Sequence, residues 1–327
     1  MPLVKSYIFP IHLFSVCSIL THVLQVLLRA DHNPSLVMKA MVISSLANIG
    51  LDYLFVMVWN GGIQGAAIAT AIAPILSVLL LSLHRFYPQR SLAFVKHFWS
   101  NSLWKRIIKN GVSSASMEVS VSVITIVMNY VILGIGDESS LAAYAIVTNI
   151  AFVCKGILNG FAQGMQPLIS TNFGAGNRKR VEHCFWLAFG ITTGFGMIGY
   201  GMMCCFPKAL VSIFAFDPEL ISLGVHGVIL YFISLPFTSA NTIILYYFQS
   251  IEQYRKAMLC TVLRGFVMVL LFVWIGAVLF GMNGVWLSVP FAEASVWVIG
   301  MYFTIQSLNC YRKEDEFVTN FSNGIIE

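Results

Sequence analysis

The chain has 327 residues, of which 58% are hydrophobic and only 10% charged, with a formal net charge of +5 and a mean hydropathy of +0.80. Soluble domains carry about 25% charged residues, so this composition excludes a water-soluble enzyme and defines an all-α, polytopic membrane protein. The seven cysteines are scattered without metal-ligand spacing and read as small apolar filler rather than disulfides or zinc ligands.

A helical crossing needs roughly 20 apolar residues, and nine spans are predicted in chain order: 6 to 28, 36 to 59, 63 to 83, 111 to 134, 140 to 162, 185 to 206, 221 to 248, 257 to 280 and 284 to 306. Span one carries His12 and His22, which with His226 of span seven could shuttle protons near neutral pH or hydrogen-bond within the bundle. Span two holds Asp52, with Asn48 one turn earlier on the same face, and span three holds Thr70. Residues 84 to 110 then combine Pro88 and three serines with Arg85, Arg90, Lys96, Lys105, Arg106 and Lys109, no acid, and the aromatics Phe94, Phe98, Trp99 and Trp104. That mixture suits a connector lying along an anionic inner leaflet. The domain reading is a partial N-lobe of three spans (1–83), a cytoplasmic linker (84–110), a C-lobe of six spans (111–310) and a cytoplasmic tail (311–327).

Charge between the spans sets the orientation. Most of the 19 basic residues fall in alternate loops, while the opposite loops hold Asp137 with Glu138, Asp217 with Glu219, and among bases only Lys208. By the positive-inside rule the basic side, including the C-terminus, is cytoplasmic. Nine spans then put the N-terminus outside with no cleavable signal ahead of span one, so further chain is expected upstream.

Ionisable groups inside spans are functional-site hypotheses. Asp52 and Thr70 each lie about two turns inside the outer ends of antiparallel neighbours, roughly 10 Å deep at 1.5 Å per residue. With Asn48 they offer a carboxylate, an amide and a hydroxyl, hard oxygen donors suited to sodium, and the carboxylate can carry a proton instead. The alternative is that Asp52 holds the bundle together by hydrogen bonding. Glu118, Lys155 and Arg264 are expected at one level near the inner surface, as an ion-paired cluster or a substrate-contacting set, with Glu293 meeting Arg264 or facing a cavity. Gln163 and Gln166, just before Pro167, are further candidate cavity residues.

The segment Gly62-Ile63-Gln64-Gly65-Ala66-Ala67-Ile68-Ala69 aligns with Gly281-Met282-Asn283-Gly284-Val285-Trp286-Leu287-Ser288, each opening a span after another. Internal repeats of this kind generate a central site between two transporter halves.

The run Leu28-Arg29-Ala30-Asp31-His32-Asn33-Pro34, then Asn48-Ile49-Gly50-Leu51-Asp52, then Gly65-Ala66-Ala67-Ile68-Ala69-Thr70, resembles the fourth-to-sixth helix region of the multidrug and toxic compound extrusion (MATE) family. Gly164-Met165-Gln166-Pro167-Leu168-Ile169 through Asn172-Phe173-Gly174-Ala175-Gly176-Asn177 resembles that family's eighth-helix exit. The likeness covers nearly the whole chain and points to the bacterial MepA-like and DinF-like branch.

The resemblance implies a two-lobe helical bundle whose nine spans correspond to family spans four to twelve, three further helices being expected ahead of them. It implies cation binding at Asn48, Asp52 and Thr70, and likens Glu118 to a seventh-helix acid linked to coupling or substrate binding. Where some relatives carry a tenth-helix acid this chain has Ser239-Ala240-Asn241. The implied protein is a monomeric secondary antiporter of a bacterial plasma (inner) membrane, not an enzyme, with no cofactor, no metal beyond a possible Na+ and no nucleic-acid partner. It would exchange H+ or Na+ for amphipathic, often cationic, drugs or toxins while embedded in lipid. Two other readings stand beside it: a flippase of lipid-linked precursors, which calls for a larger cationic cavity, and an inactive or partner-requiring fragment. No P-loop, HExxH or GxSxG motif is present.

Overall fold

The computed structural model describes residues 2–92 and 100–323, with the side chains of 2–11, 13, 110, 113, 117 and 312–323 left aside, and the described residues contain helices and no strand. Lys96, Phe94, Phe98 and Trp99 of the basic connector lie outside the described residues. Two compact units divide at Phe98 and Trp99. The stretch read from sequence as a linker is therefore partly helix, since α4 already begins at Asn101.

The first unit has three helices, α1 (Pro2–Ala30), α2 (Pro34–Asp52) and α3 (Gly62–Ser82). Pro34 occupies the first turn of α2, where its missing N–H costs nothing, and the Asn33 side chain accepts from Leu36 N at 3.3 Å to cap it. Beyond Asp52 the helix widens into a π turn, Tyr53–Val58. The buried face of α3 is built from Gly65, Ala67, Ala69, Ala71 and Ser77, small residues that let its backbone lie close against α1 and α2. Leu28, Val37, Ala40 and Leu81 form the core at the basic end.

The second unit runs through α4 (Asn101–Ile135), α5 (Glu138–Gly174), α6 (Arg178–Cys205), α7 (Pro207–Val211), α8 (Pro218–Tyr231), α9 (Leu235–Ser250), α10 (Tyr254–Val262) and α11 (Met268–Asn323). A second π turn, Leu263–Val267, joins α10 to α11, and α11 breaks at Gly281, whose φ of 56° only glycine adopts without strain. The break is tight: a methyl on Gly276 would stand 2.5 Å from the Gly284 carbonyl oxygen.

Among the described residues, seven helical stretches are long and apolar enough to cross a membrane, the last of them, Tyr254–Tyr311, containing two of the nine predicted spans on either side of Gly281; the described part of span one, Phe14–Ala30, is shorter. The helices overshoot the predicted spans at the basic side. α4 starts at Asn101 rather than 111, α5 continues to Gly174 rather than 162, and α6 starts at Arg178 rather than 185. Lysine, arginine and glutamine propagate a helix as well as leucine does, so loss of apolarity marks the membrane boundary and not the helix end.

Apolar packing in the second unit falls into two clusters. One spans Met128 to Leu158 and Met203 to Leu235, with Val269, Val273, Val285 and Ala292; the other contains Ala162, Phe185, Ile243, Tyr247, Phe248 and Cys260. Along α5, α9 and the α10–α11 junction the changeover comes between Leu158 and Ala162, Leu235 and Ile243, and Cys260 and Val269. Thr238, Ser239, Asn241, Thr242, Thr261 and Arg264 all fall in those intervals. A polar layer thus separates two dry ones.

The repeat seen in sequence is matched in backbone geometry. Gly62 and Gly281 share positive φ (53° and 56°), and so do His32 and Glu252 (57° each). Both of the latter follow the same helix-closing bonds: Asn33 N donates to Leu28 O at 3.0 Å, and Gln253 N to Phe248 O at 2.9 Å.

Candidate functional site

In the first unit, α2 carries Ser44, Asn48 and Asp52 four residues apart, one face of three successive turns. Ser44 Oγ, Asn48 Nδ2, Asp52 Oδ1 and, across on α3, Ser77 Oγ are all buried with no hydrogen-bond partner. An unmade buried hydrogen bond costs about 1–3 kcal/mol, so four along one seam describe a surface made to receive something polar. Beside it lies an open cleft of about 260 Å³ lined by Asn48, Thr70, Ser44, Ser77, Thr21 and Gln25 among others. Thr70 donates to its own helix at Ala66 O (2.9 Å), which leaves its oxygen lone pairs to the cleft.

The expected trio is only partly assembled. Asn48 and Thr70 share the cleft, whereas Asp52 lies a turn further along α2 and outside the lining, with its Oδ1 buried at the start of the π turn. Equal depth on two straight helices predicts all three together; Asp52 instead falls where α2 passes into the π turn, beyond the cleft's lining. Ser44, Ser77, Thr21 and Gln25 were missed, although the Ser44, Asn48, Asp52 spacing was there to be read. The donor set of carboxylate, hydroxyls and an amide that can turn its oxygen inward fits a hard monovalent cation.

A second cluster closes the basic end of this unit. Asp31, 3% exposed, accepts from His84 Nε2 at 2.7 Å, from Ser91 N at 2.9 Å, from Leu92 N at 3.3 Å and from the Ser91 hydroxyl. Chiefly the Ser91 hydroxyl, and next His84, hold the Asp31 carboxyl well below its usual range. Asp31 stands within the Leu28 to Pro34 motif, but its partners, 53 and 60 residues away, leave no local trace in the sequence.

In the second unit Arg264 sits in the π turn and donates through Nε to Glu293 Oε1 at 2.8 Å. Asn241 Nδ2 donates to Glu293 Oε2 at 2.7 Å and to the Glu293 carbonyl at 2.8 Å, so both carboxylate oxygens are occupied. The alternative cluster of Glu118 with Lys155 or Arg264 is not formed: Glu118 and Lys155 are exposed, near the middle of their helices, and Arg264 pairs with Glu293. Depth gave the level of each charge; helix rotation, which sets direction, comes from packing. A cavity of about 120 Å³ opens beside the pair, lined by Tyr144, Lys155, Asn159, Tyr231, Arg264, Glu293 and neighbouring small and apolar residues. Gln163 and Gln166 are half-buried on α5 and outside that lining. Of the intramembrane histidines, His22 is exposed, and His226 meets Asn283 Oδ1 at 2.7 Å.

Helices of this length around membrane-embedded polar sites define a polytopic carrier-like bundle. Residues 114–275 match the family model MatE. The chain is 24% identical over 293 residues to the multidrug export protein MepA of Staphylococcus haemolyticus, covering 89% of this chain and 64% of that protein. It is 25% identical over 282 residues to MepA of Staphylococcus saprophyticus, covering 84% and 61%. Among solved structures, a crystal structure of MATE in the bent conformation superposes with a TM-score of 0.86 at 19% identity over 95% of this chain and 70% of that one. MATE in complex with MaL6 gives 0.89 at 19% over 94% and 70%. By these matches the chain is similar to the MATE family and to MepA-like relatives, and it spans under two thirds of the length of those curated relatives.

Proposed function

We propose that the chain acts in secondary active multidrug efflux, exchanging H+ or Na+ for amphipathic organic compounds. The observation that carries this reading is the seam of unpartnered buried polar atoms on α2 and α3, Ser44, Asn48, Asp52 and Ser77, beside the cleft that Thr70 also lines. A sodium ion or proton arriving there would meet the unpartnered oxygens of Ser44, Asp52 and Ser77, groups that otherwise lose about 1–3 kcal/mol each. Asp52 supplies the charge; Asn48 and Thr70 supply neutral oxygens. Because a ligand shifts a conformational balance only by its differential affinity for the two states, the cation drives transport if one opening of the bundle keeps the seam accessible and the other closes it. MepA relatives, named as multidrug export proteins, support the cargo class.

The test is Asp52→Asn in cells expressing the chain. Drug resistance is expected to disappear at unchanged membrane expression, and retained efflux overturns the role. Flux into proteoliposomes holding the 327-residue chain asks whether it transports by itself.

A further inference from the structure

The cavity in the second unit holds donors in excess of acceptors. Its charged lining is Lys155, Arg264 and Glu293. Glu293 is already committed, with one carboxylate oxygen to Arg264 Nε and the other to Asn241 Nδ2. Arg264 spends only Nε on that pair, leaving its two Nη groups without a hydrogen bond among the described residues. Lys155 has neither an ion pair nor a hydrogen bond among them, and it sits near the middle of the long apolar helix α5. The phenols of Tyr144 and Tyr231 and the amide of Asn159, one turn from Lys155, also face it, on a wall otherwise made of small hydroxyl residues and apolar side chains such as Ile124, Leu245 and Val289.

One carboxylate cancels one guanidinium, and a full positive charge remains. A lysine inside an apolar span costs up to roughly 2.5–3.5 kcal/mol on insertion scales and ordinarily faces a partner. An organic cation entering here would meet two fixed positive charges against one carboxylate that already holds a guanidinium and an amide. An oxyanion would instead collect charge-assisted hydrogen bonds from an ammonium and a guanidinium, the strong class of such bonds. At about 120 Å³ the space is far below the roughly 300–1,000 Å³ of a whole-drug pocket, so it fits a headgroup and not an entire molecule.

We infer that this cavity is an anion subsite that takes the carboxylate- or phosphate-type group of the cargo, with Lys155 as its principal contact and Arg264, held in place by Glu293, as its second. The inference rests on the efflux reading for its cargo and widens it to compounds that carry a negative group.

The test is calorimetric titration of the full chain in phosphatidylcholine nanodiscs with three ligands of matched size: benzoate, phenyl phosphate and benzylammonium. Saturable binding of an anion is expected, weakened about tenfold or more in Lys155→Gln, the loss of one charge-assisted contact. Lys155→Arg should keep binding, and Lys155→Glu should lose the anion and take benzylammonium. Because Lys155 is exposed, unchanged thermal midpoints separate these effects from misfolding. Preference for benzoate points to free carboxylates as the source, and preference for phenyl phosphate to phosphate-headed lipids; both support the site. Benzylammonium binding as tightly as the anions, anion binding indifferent to Lys155→Gln, or no saturable anion binding overturns it. Binding is read without transport, so its absence beside intact Asp52-dependent efflux sinks this inference alone.

Discussion

Asn33 decides which ring nitrogen of His84 carries the proton. Its Nδ2, which can only donate, lies 3.1 Å from His84 Nδ1, so that nitrogen accepts and the proton sits on Nε2, aimed at Asp31 Oδ2 at 2.7 Å. The same asparagine caps α2 through its oxygen, which ties helix start, imidazole and carboxylate into one arrangement.

Asp31→Ala should release the segment that this carboxylate holds. The amides of Ser91 and Leu92 both donate to Asp31, and hydrogen exchange there is expected to speed up about tenfold or more as local opening becomes easier, with α2 exchange little changed. Equal protection in wild type and variant would show that the chain after Tyr87 is held by other contacts.

The pH dependence of that contribution has a definite sign. The folded Asp31 carboxyl titrates below its ordinary 3.8, so its stabilisation is complete above that value and fades as pH falls through the folded one. The gap in thermal midpoint between wild type and Asp31→Asn should be flat from neutral pH down to about 5 and narrow below about 4. A gap that widens on acidification contradicts the assignment.

Breaking the Arg264–Glu293 pair from one side should hurt more than removing it whole. Glu293→Leu strands a largely buried guanidinium, and a loss of about 3–5 kcal/mol is expected; Arg264→Met with Glu293→Leu together should recover much of it. Detergent thermal unfolding of the four proteins in a double-mutant cycle measures the difference. Additive losses would mean the two side chains act independently.

Two glycines of the α11 break make different demands. Gly284→Ala drives a methyl into the Gly276 carbonyl, backbone against backbone, while Gly281→Ala meets no neighbour and bears only the strain of a positive φ. The second should cost about 1–2 kcal/mol and the first clearly more, in expression or thermal midpoint.

Sodium is expected to stabilise the first unit if it is the coupling ion. At ten times its dissociation constant the gain is about 1.4 kcal/mol, and Asn48→Ala or Asp52→Asn should remove the shift while costing little without sodium, since Asn48 Nδ2 and Asp52 Oδ1 have no hydrogen bond to lose. A sodium shift that survives both substitutions places the ion elsewhere.

Much of this protein could be read from a string of letters because the relevant physics is local. Apolar length follows from bilayer thickness, and the Ser44, Asn48, Asp52 face from helical period. The two turns that repeat, at Gly62 and Gly281, announce themselves because a left-handed backbone selects glycine. Pairing was another matter. Arg264 shares a level with Glu118 and Lys155 in any count of helical rise, yet it meets Glu293, and Asp31 finds Ser91 across 60 residues. Rise along a helix is the same in every fold, but the direction a side chain faces is set by how each whole bundle packs, and packing is a sum over contacts far apart in the chain.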